Sequence, residues 1–264
     1  MAGFIDIHTH AFPDHVASAA ISALEKEGNI KAYLDGTVAA LLASMDRSAI
    51  DKSVLCSIAT RPEQFASILD WSKEIRSERI IPFPSLHPAD PQLLEHLQSI
   101  HDEGFKGIKM HSYYQDFFLD DPALNELYGR MSALGTILVI HAGYDIAYPR
   151  IRRADPQRIL KVCQQFPDLK LIATHLGGWD EWKDVRRLLT GKPIYMELSF
   201  ALDFLDQPRL RDLLLSHPPE YLLFGTDSPW TDQATTLKML GKLGLPETLF
   251  EQITSSNARR LLAC

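Results

Sequence analysis

The chain has 264 residues, 45% of them hydrophobic and 23% charged, which suits a large buried core and the size of an α/β barrel built as one domain. Its formal net charge of −7 argues against a binder of phosphate backbones, which normally shows a basic face, although Arg150, Arg152 and Arg153 make a local basic cluster. No apolar run approaches the roughly eighteen residues of a membrane span, so neither nucleic acid nor membrane is an expected partner.

Short apolar runs alternate with longer amphipathic stretches. A first strand is predicted at Phe4–His10, followed by an inserted helix at His15–Gly28 over one mouth of the fold and a further helix at Gly36–Ser48. Strand Lys52–Ala59 leads to helix Pro62–Ser77, strand Ile80–His87 to helix Asp90–Glu103, and strand Phe105–His111 to helix Pro122–Leu134. The second half repeats the scheme. Strands Ile137–Gly143, Leu169–Leu176, Ile194–Phe200 and Tyr221–Asp227 precede helices Asp155–Phe166, Trp179–Leu189, Gln207–Ser216 and Asp232–Lys242. A last helix, about Glu247–Leu262, is expected to close the far side. The strands are short, β-branched and apolar, as buried parallel strands are. Asp121-Pro122, Asp155-Pro156 and Gln207-Pro208 mark helix starts. Eight such units predict the α/β class, a (β/α)8 TIM barrel, as a single domain over 1–264 with an extra helix after strand one.

Cys56, Cys163 and Cys264 offer no C-x-x-C spacing and no disulfide framework. Cys56 and Cys163 read as buried, reduced thiols. With no basic segment followed by a long apolar stretch near the N-terminus, a cytoplasmic setting is expected.

The chemistry gathers at strand ends. In a strand, residues i and i+2 face the same way, so His8 and His10 present two imidazoles together, with Asp6 one layer deeper on that face and placed to orient a ring. Histidine or aspartate also closes strand five (His141), strand six (His175) and strand eight (Asp227). All C-terminal strand ends of a barrel meet at one mouth. Four imidazoles and a carboxylate there suit a divalent ion such as Zn²⁺. Taken singly, each histidine is as readily a core or surface residue, and Asp227, in Asp-Ser-Pro, is also a plausible helix N-cap.

The segments Ile5-Asp6-Ile7-His8-Thr9-His10, Val139-Ile140-His141, Ala173-Thr174-His175-Leu176-Gly177, Gly225-Thr226-Asp227-Ser228-Pro229 and Asn257-Ala258-Arg259-Arg260-Leu261 resemble the amidohydrolase superfamily. The resemblance covers nearly the whole chain and is greatest to the amidohydrolase-2 branch, which includes aminocarboxymuconate-semialdehyde decarboxylase and hydrolase relatives. It implies a single metal, most simply Zn²⁺, held by His8, His10, His141 and Asp227. Asp227 would double as the proton-transfer group, and His175 would stand beside the water or the substrate oxygen as a catalytic acid or base. In two-metal relatives a carboxylated lysine on strand four bridges the ions. Lys109 could take that part, with His175 as a further ligand. With one metal, Lys109 faces a substrate carboxylate or makes a structural ion pair.

His87 and His111 read as structural residues that can also line the cavity. Loops after the strands carry Tyr113, Tyr114 and Gln115, then Tyr144 with the three arginines, then Trp179, Trp182 and Trp230. Of these, Lys109, His111, Tyr113, Arg150, Trp179 and Trp230 are the expected contacts to a small planar or carboxylated molecule.

The function expected first is hydrolysis of a C–N or C–O acyl bond by metal-activated water. Non-oxidative decarboxylation of an unsaturated or aromatic acid on the same frame is the alternative. A TatD-type nuclease fits less well, because Lys109 and Leu176 stand where those enzymes have glutamate and cysteine. A zinc-binding scaffold without activity should have lost a ligand, and none is missing. Homo-oligomerisation is left open by the sequence.

Overall fold

The computed structural model describes residues 3–264; Met1 and Ala2, the start of the domain assigned from sequence, lie outside the described residues. Parallel strands β1 (Phe4–Thr9), β2 (Ile50–Cys56) and β3 (Ile80–Phe83) form one run, and β4 (Gly107–Met110), β5 (Ile137–Ile140), β6 (Leu171–Ala173), β7 (Tyr195–Glu197) and β8 (Leu222–Leu223) form another. Two seams join them into a closed barrel. The Lys109 N–H donates to Pro84 O at 2.9 Å between β3 and β4. Between β8 and β1, the Ile7 N–H donates to Phe224 O at 2.9 Å and the Asp227 N–H to His8 O at 2.7 Å.

Helices α1 (Asp14–Gly28), α2 (Val38–Ser48), α3 (Phe65–Ile75), α4 (Leu93–Asp102), α5 (Asn125–Leu134) and α6 (Pro156–Gln165) follow the predicted order. So do α7 (Trp182–Leu188), α9 (Gln207–Ser216) and α10 (Gln233–Gly241). Side chains of Thr37, Asp155, Asp206 and Asp232 cap α2, α6, α9 and α10 by accepting backbone N–H bonds. Asp232, not Asp227, therefore starts the helix after β8. The one-turn α8 (Ala201–Phe204) was not predicted, being too short to show a period.

The last helix is three pieces: α11 (Glu247–Glu251), a π-helical turn at Gln252–Ser256, and α12 (Asn257–Leu262). It closes the lower end as expected. Ser255 Oγ and Arg259 Nη2 donate to Gly3 O at 3.1 and 3.0 Å, and Asn257 Nδ2 donates to Leu222 O at 2.8 Å. Inside the barrel, Ile5, Ile7, Val54, Phe83, Val139, Ile172 and Leu223 pack into one cluster with Leu261 and Leu262 of α12. The larger cluster fills the space between strands and helices. Among the described residues no helix is long and apolar enough to cross a membrane.

The strands stop short of their predicted C-terminal ends, for a physical reason. His175, Leu176, Phe200 and Asp227 all adopt left-handed backbone, with φ of 56°, 53°, 57° and 61°. Such a residue cannot continue a pleat, and each costs on the order of 1 kcal/mol or more. The backbone turns at the mouth, and it is the turn that aims these side chains.

Gly143, just past β5, has φ +85°, and a Cβ there would lie 2.2 Å from Trp179 N. The close approach lets Tyr144 N–H reach Trp179 O at 3.1 Å and Trp179 N–H reach Ala142 O at 2.9 Å. Gly143→Ala is expected to lower unfolding free energy by at least about 2 kcal/mol in urea titration, from positive φ and backbone collision together. Away from the mouth, buried His217 donates Nε2–H to Ile194 O at 2.9 Å while its Nδ1 has no partner. Burial pushes its pKa down to about 4. The unfolded chain, near 6.5, then binds the proton first, so this contribution is complete above pH 6.5 and is lost as pH falls toward 4. Replacing His217 by Gln should remove up to about 3 kcal/mol of the pH dependence in that window, read as the change in stability between pH 7 and pH 4.

Candidate metal centre

His8 and His10 leave the end of β1 beside Asp227 from the turn after β8. Nε2 of His8 and Nε2 of His10 lie 3.1 Å apart. Asp227 Oδ1 is 3.0 Å from His10 Nε2 and 3.4 Å from His8 Nε2. What turns these rings inward is set on their far sides. His10 Nδ1 is 2.7 Å from the Cys56 carbonyl oxygen, which can only accept, so the proton sits on Nδ1 and Nε2 carries the lone pair. His8 Nδ1 is 3.0 Å from Glu197 Oε1 on β7, which fixes the same tautomer. Two imidazole lone pairs and a carboxylate oxygen thus converge at 3.0–3.4 Å from one another, the spacing of atoms that can share one small ion. Such a donor set fits a divalent cation.

The electrostatics agree. Burial first, and then the Lys109 ammonium, hold His8 well below the ordinary histidine range. Burial and His141 do the same for His175. Burial alone would raise the Asp227 carboxyl, but whenever His8, His10 or His175 carries a proton its charge outweighs burial, so the carboxyl is held well below its usual range and ionises before the rings do. Neutral imidazoles and an ionised carboxylate are the forms that bind metal.

His141 stands one ring away. Its Nε2–H donates to Tyr144 O at 2.9 Å, leaving the Nδ1 lone pair 3.1 Å from His175 Nε2. His175 is held by Ser199 Oγ, 2.8 Å from its Nδ1, and its ring centroid lies 5.7 Å from that of His8. The Trp182 indole N–H donates to His175 O at 3.0 Å and pins the turn from behind. The structure therefore brings His8, His10 and Asp227 together and links His141 to them through His175.

A second group, His111, His141 and Asp145, does not make a comparable site. Asp145 Oδ2 lies 3.4 Å from His111 Nε2 and 3.7 Å from His141 Nε2. The two rings are stacked, with centroids 4.1 Å apart and planes 20° from parallel. In-plane lone pairs on stacked rings cannot meet at one ion, and His141 Nε2 already donates elsewhere. Asp145 steadies both rings instead.

Asp6 does not orient the His8 ring, contrary to the sequence expectation; from His8 it accepts only the backbone N–H, at 3.2 Å. The β1–β2 register slips by one residue between Asp6 and Thr9, so the i, i+2 rule fails across that step. Asp6 faces Thr226 and Gln233, whose side chains donate at 2.6 and 2.8 Å, and burial pushes its pKa up to about 7. Glu197 takes the expected role. It also accepts from His175 N–H at 2.9 Å and Ser199 Oγ at 2.7 Å. Its sequence signal is a lone carboxylate at the end of the apolar β7 run, the same pattern that marks Asp227 after β8. Asp145, four residues after His141, gave no comparable signal.

The centre forms the floor of a cavity of about 1050 Å³. Lys109, His111, Trp179 and Trp230 line it, as do Tyr114 and Tyr144. Lys109 is 1% exposed, with Nζ 3.0 Å from His8 Nε2. Tyr113 and Arg150, expected as substrate contacts, are engaged elsewhere. The Tyr113 hydroxyl donates to Ile151 O. Arg150 pairs with Asp180 at 2.6 Å and lies over the Tyr144 ring, outside the lining. Arg152 pairs with Glu181 at 2.7 Å and Arg153 with Asp116 at 2.5 Å. Each arginine of the cluster has its own acid. His87 also lies outside the lining, and its Nδ1 accepts from Ala89 N–H at 3.1 Å. Gln115 is structural, donating to Ala59 O and Leu86 O at 2.8 Å each.

No curated protein sequence matches the chain. Solved structures share its fold. An uncharacterised TIM-barrel protein from Bordetella bronchiseptica superposes with a TM-score of 0.81 at 18% identity over 98% of each chain. The 5-carboxyvanillate decarboxylase of Sphingomonas paucimobilis gives 0.75 at 14% identity, over 100% of this chain and 99% of that one. A probable 2-pyrone-4,6-dicarboxylic acid hydrolase from Acinetobacter baumannii gives 0.68 at 14% identity over 100% of both. The amidohydrolase family model Amidohydro_2 matches residues 5–263, nearly the whole length, and the chain belongs to that family.

Proposed function

We propose that the protein is a one-metal hydrolase, with zinc held by His8, His10, Asp227 and His141, acting on a C–N or C–O acyl bond of a small organic substrate. The observation that carries this is the meeting of His8 Nε2, His10 Nε2 and Asp227 Oδ1 at the floor of a largely apolar cavity. When bound, the ion polarises the acyl oxygen and lowers the pKa of water to roughly 7. Asp227, ionised and on the cavity floor, takes the proton of the attacking water and hands it to the leaving group. His175, fixed by Ser199 and backed by Trp182, hydrogen-bonds the acyl oxygen through Nε2 when protonated there. His141, whose Nδ1 lone pair lies 3.1 Å from His175 Nε2, would be the further residue to hold the ion. Lys109 lies close enough to His8 to keep cationic charge beside the reacting oxygen.

The lining contains no arginine and several carboxylates, which favours a neutral acyl compound over a dicarboxylate and disfavours a nuclease. The free thiols Cys56 and Cys163 suit a reducing, cytoplasmic setting. Decarboxylation is a second reading, supported by decarboxylases among the structures of the same fold and by Lys109, a buried ammonium in the cavity lining that suits a substrate carboxylate. Release of CO2 from hydroxylated benzoates, with no turnover of esters, lactones or amides, would decide for it.

Two outcomes follow. Asp227→Asn should keep its circular dichroism and lose at least about a hundredfold in turnover of whichever ester, lactone or amide the zinc-loaded protein cleaves; undiminished turnover removes Asp227 from proton transfer. Protein purified without chelators should carry about one equivalent of zinc by elemental analysis, and Glu197→Gln should weaken zinc binding about 10- to 100-fold by freeing the His8 ring. Two equivalents would point instead to a carboxylated Lys109.

A further inference from the structure

We infer that the substrate carries an extended apolar chain, seated in a groove along α3 that opens from the proposed metal centre; the inference rests on the hydrolase reading above. The cavity volume, about 1050 Å³, is at the upper end for small-molecule sites and exceeds the needs of a compact planar acid. Part of the cavity wall is supplied by one helix. Gln64, Ile68, Trp71 and Ile75, spaced by four, three and four residues, present one face of α3 and its leading turn to the same cavity that His8, His10 and Asp227 floor. From Ile68 to Ile75 the rise is roughly 10 Å. Leu24 of α1 and Val38 of α2 also line the cavity.

Ile68 is the informative residue. Its neighbours Phe65 and Leu69 pack into the main core, and Trp71 and Ile75 lean on it, but Ile68 belongs to neither core cluster. A large apolar side chain half-covered in a cavity wall, with no core to join, marks a surface shaped for an apolar ligand. The rim repeats the pattern. Of the seven large hydrophobic residues exposed among those described, Val16, Ile146 and Phe204 line this cavity. Glu74 stands on the α3 wall and disfavours a terminal carboxylate on the chain, whereas Asp70 beside it is paired with Lys73 at 3.1 Å. Continuity with the centre makes the substrate the occupant.

The test uses n-alkyl hydroxamates of two, six and ten carbons as binding probes for zinc-loaded protein by calorimetry, beside p-nitrophenyl esters of the same acyl lengths. Affinity should rise about 3- to 4-fold for each methylene buried, giving at least a hundredfold between the two- and ten-carbon probes. Ile68→Trp, which fills the groove, should lower the ten-to-two-carbon affinity ratio at least tenfold. A ten-carbon probe that binds no tighter than the two-carbon one overturns the inference without recourse to any variant, as does a ratio unmoved by Ile68→Trp in folded protein. Turnover of short esters without a chain-length preference would leave hydrolysis standing and remove the groove. Graded binding without turnover of any ester, lactone or amide would support the groove and remove hydrolysis. Dimerisation abolished by Ile68→Trp, with flat probe binding, would assign the groove to a second copy of the chain and overturn the proposal.

Discussion

The site depends on two protons that face away from it. One lies on His10 Nδ1, held by the Cys56 carbonyl of β2, and the other on His8 Nδ1, held by Glu197 of β7. Because each outer nitrogen is a donor, each inner nitrogen is a lone pair, and the two meet Asp227 with nothing of their own to share. Remove either outer contact and the ring can turn or change tautomer, and the convergence is lost. The carbonyl needs no side chain, since a backbone oxygen at the end of β2 does the work. The carboxylate does need one. Glu197 is fully buried and spends its oxygens on His8, His175 and Ser199 together.

The barrel supplies these contacts by bringing strands from both halves of the chain around one axis. Strand β1 sits between β2 and β8, so His8 and His10 are flanked by Cys56 on one side and Asp227 on the other. Left-handed residues at the ends of β6, β7 and β8 then bend the backbone over the mouth. That local strain is tolerated because dense packing on both faces of the strands leaves the turns no alternative course. The same turns cut the strands short and build the site.

Most of the architecture was legible in the sequence because burial on both faces writes parallel strands as short apolar runs, and capping residues punctuate the helices between them. The strand-end residues His8, His10 and Asp227 were legible for the same reason: a polar group closing an apolar run has few uses. Asp6 misled because a single-residue register slip defeats strict alternation, which no pattern of residue types reveals. Arg150 and Tyr113 misled because loops are close in sequence to the mouth without being aimed at it. Their partners, Asp180 and the Ile151 carbonyl, are fixed only by the fold. The apolar face of α3 was visible as an amphipathic helix, but that part of the face turns to the cavity and not to the core could be seen only in three dimensions.

Zinc K-edge X-ray absorption on the loaded protein tests the central claim most directly, because it reads what surrounds the ion without asking what the enzyme turns over. The proposed centre requires a first shell of nitrogen and oxygen only, with imidazole multiple scattering from three histidines and no metal–metal vector. A sulfur shell, a second metal at short range, or a first shell lacking imidazole scattering would contradict it.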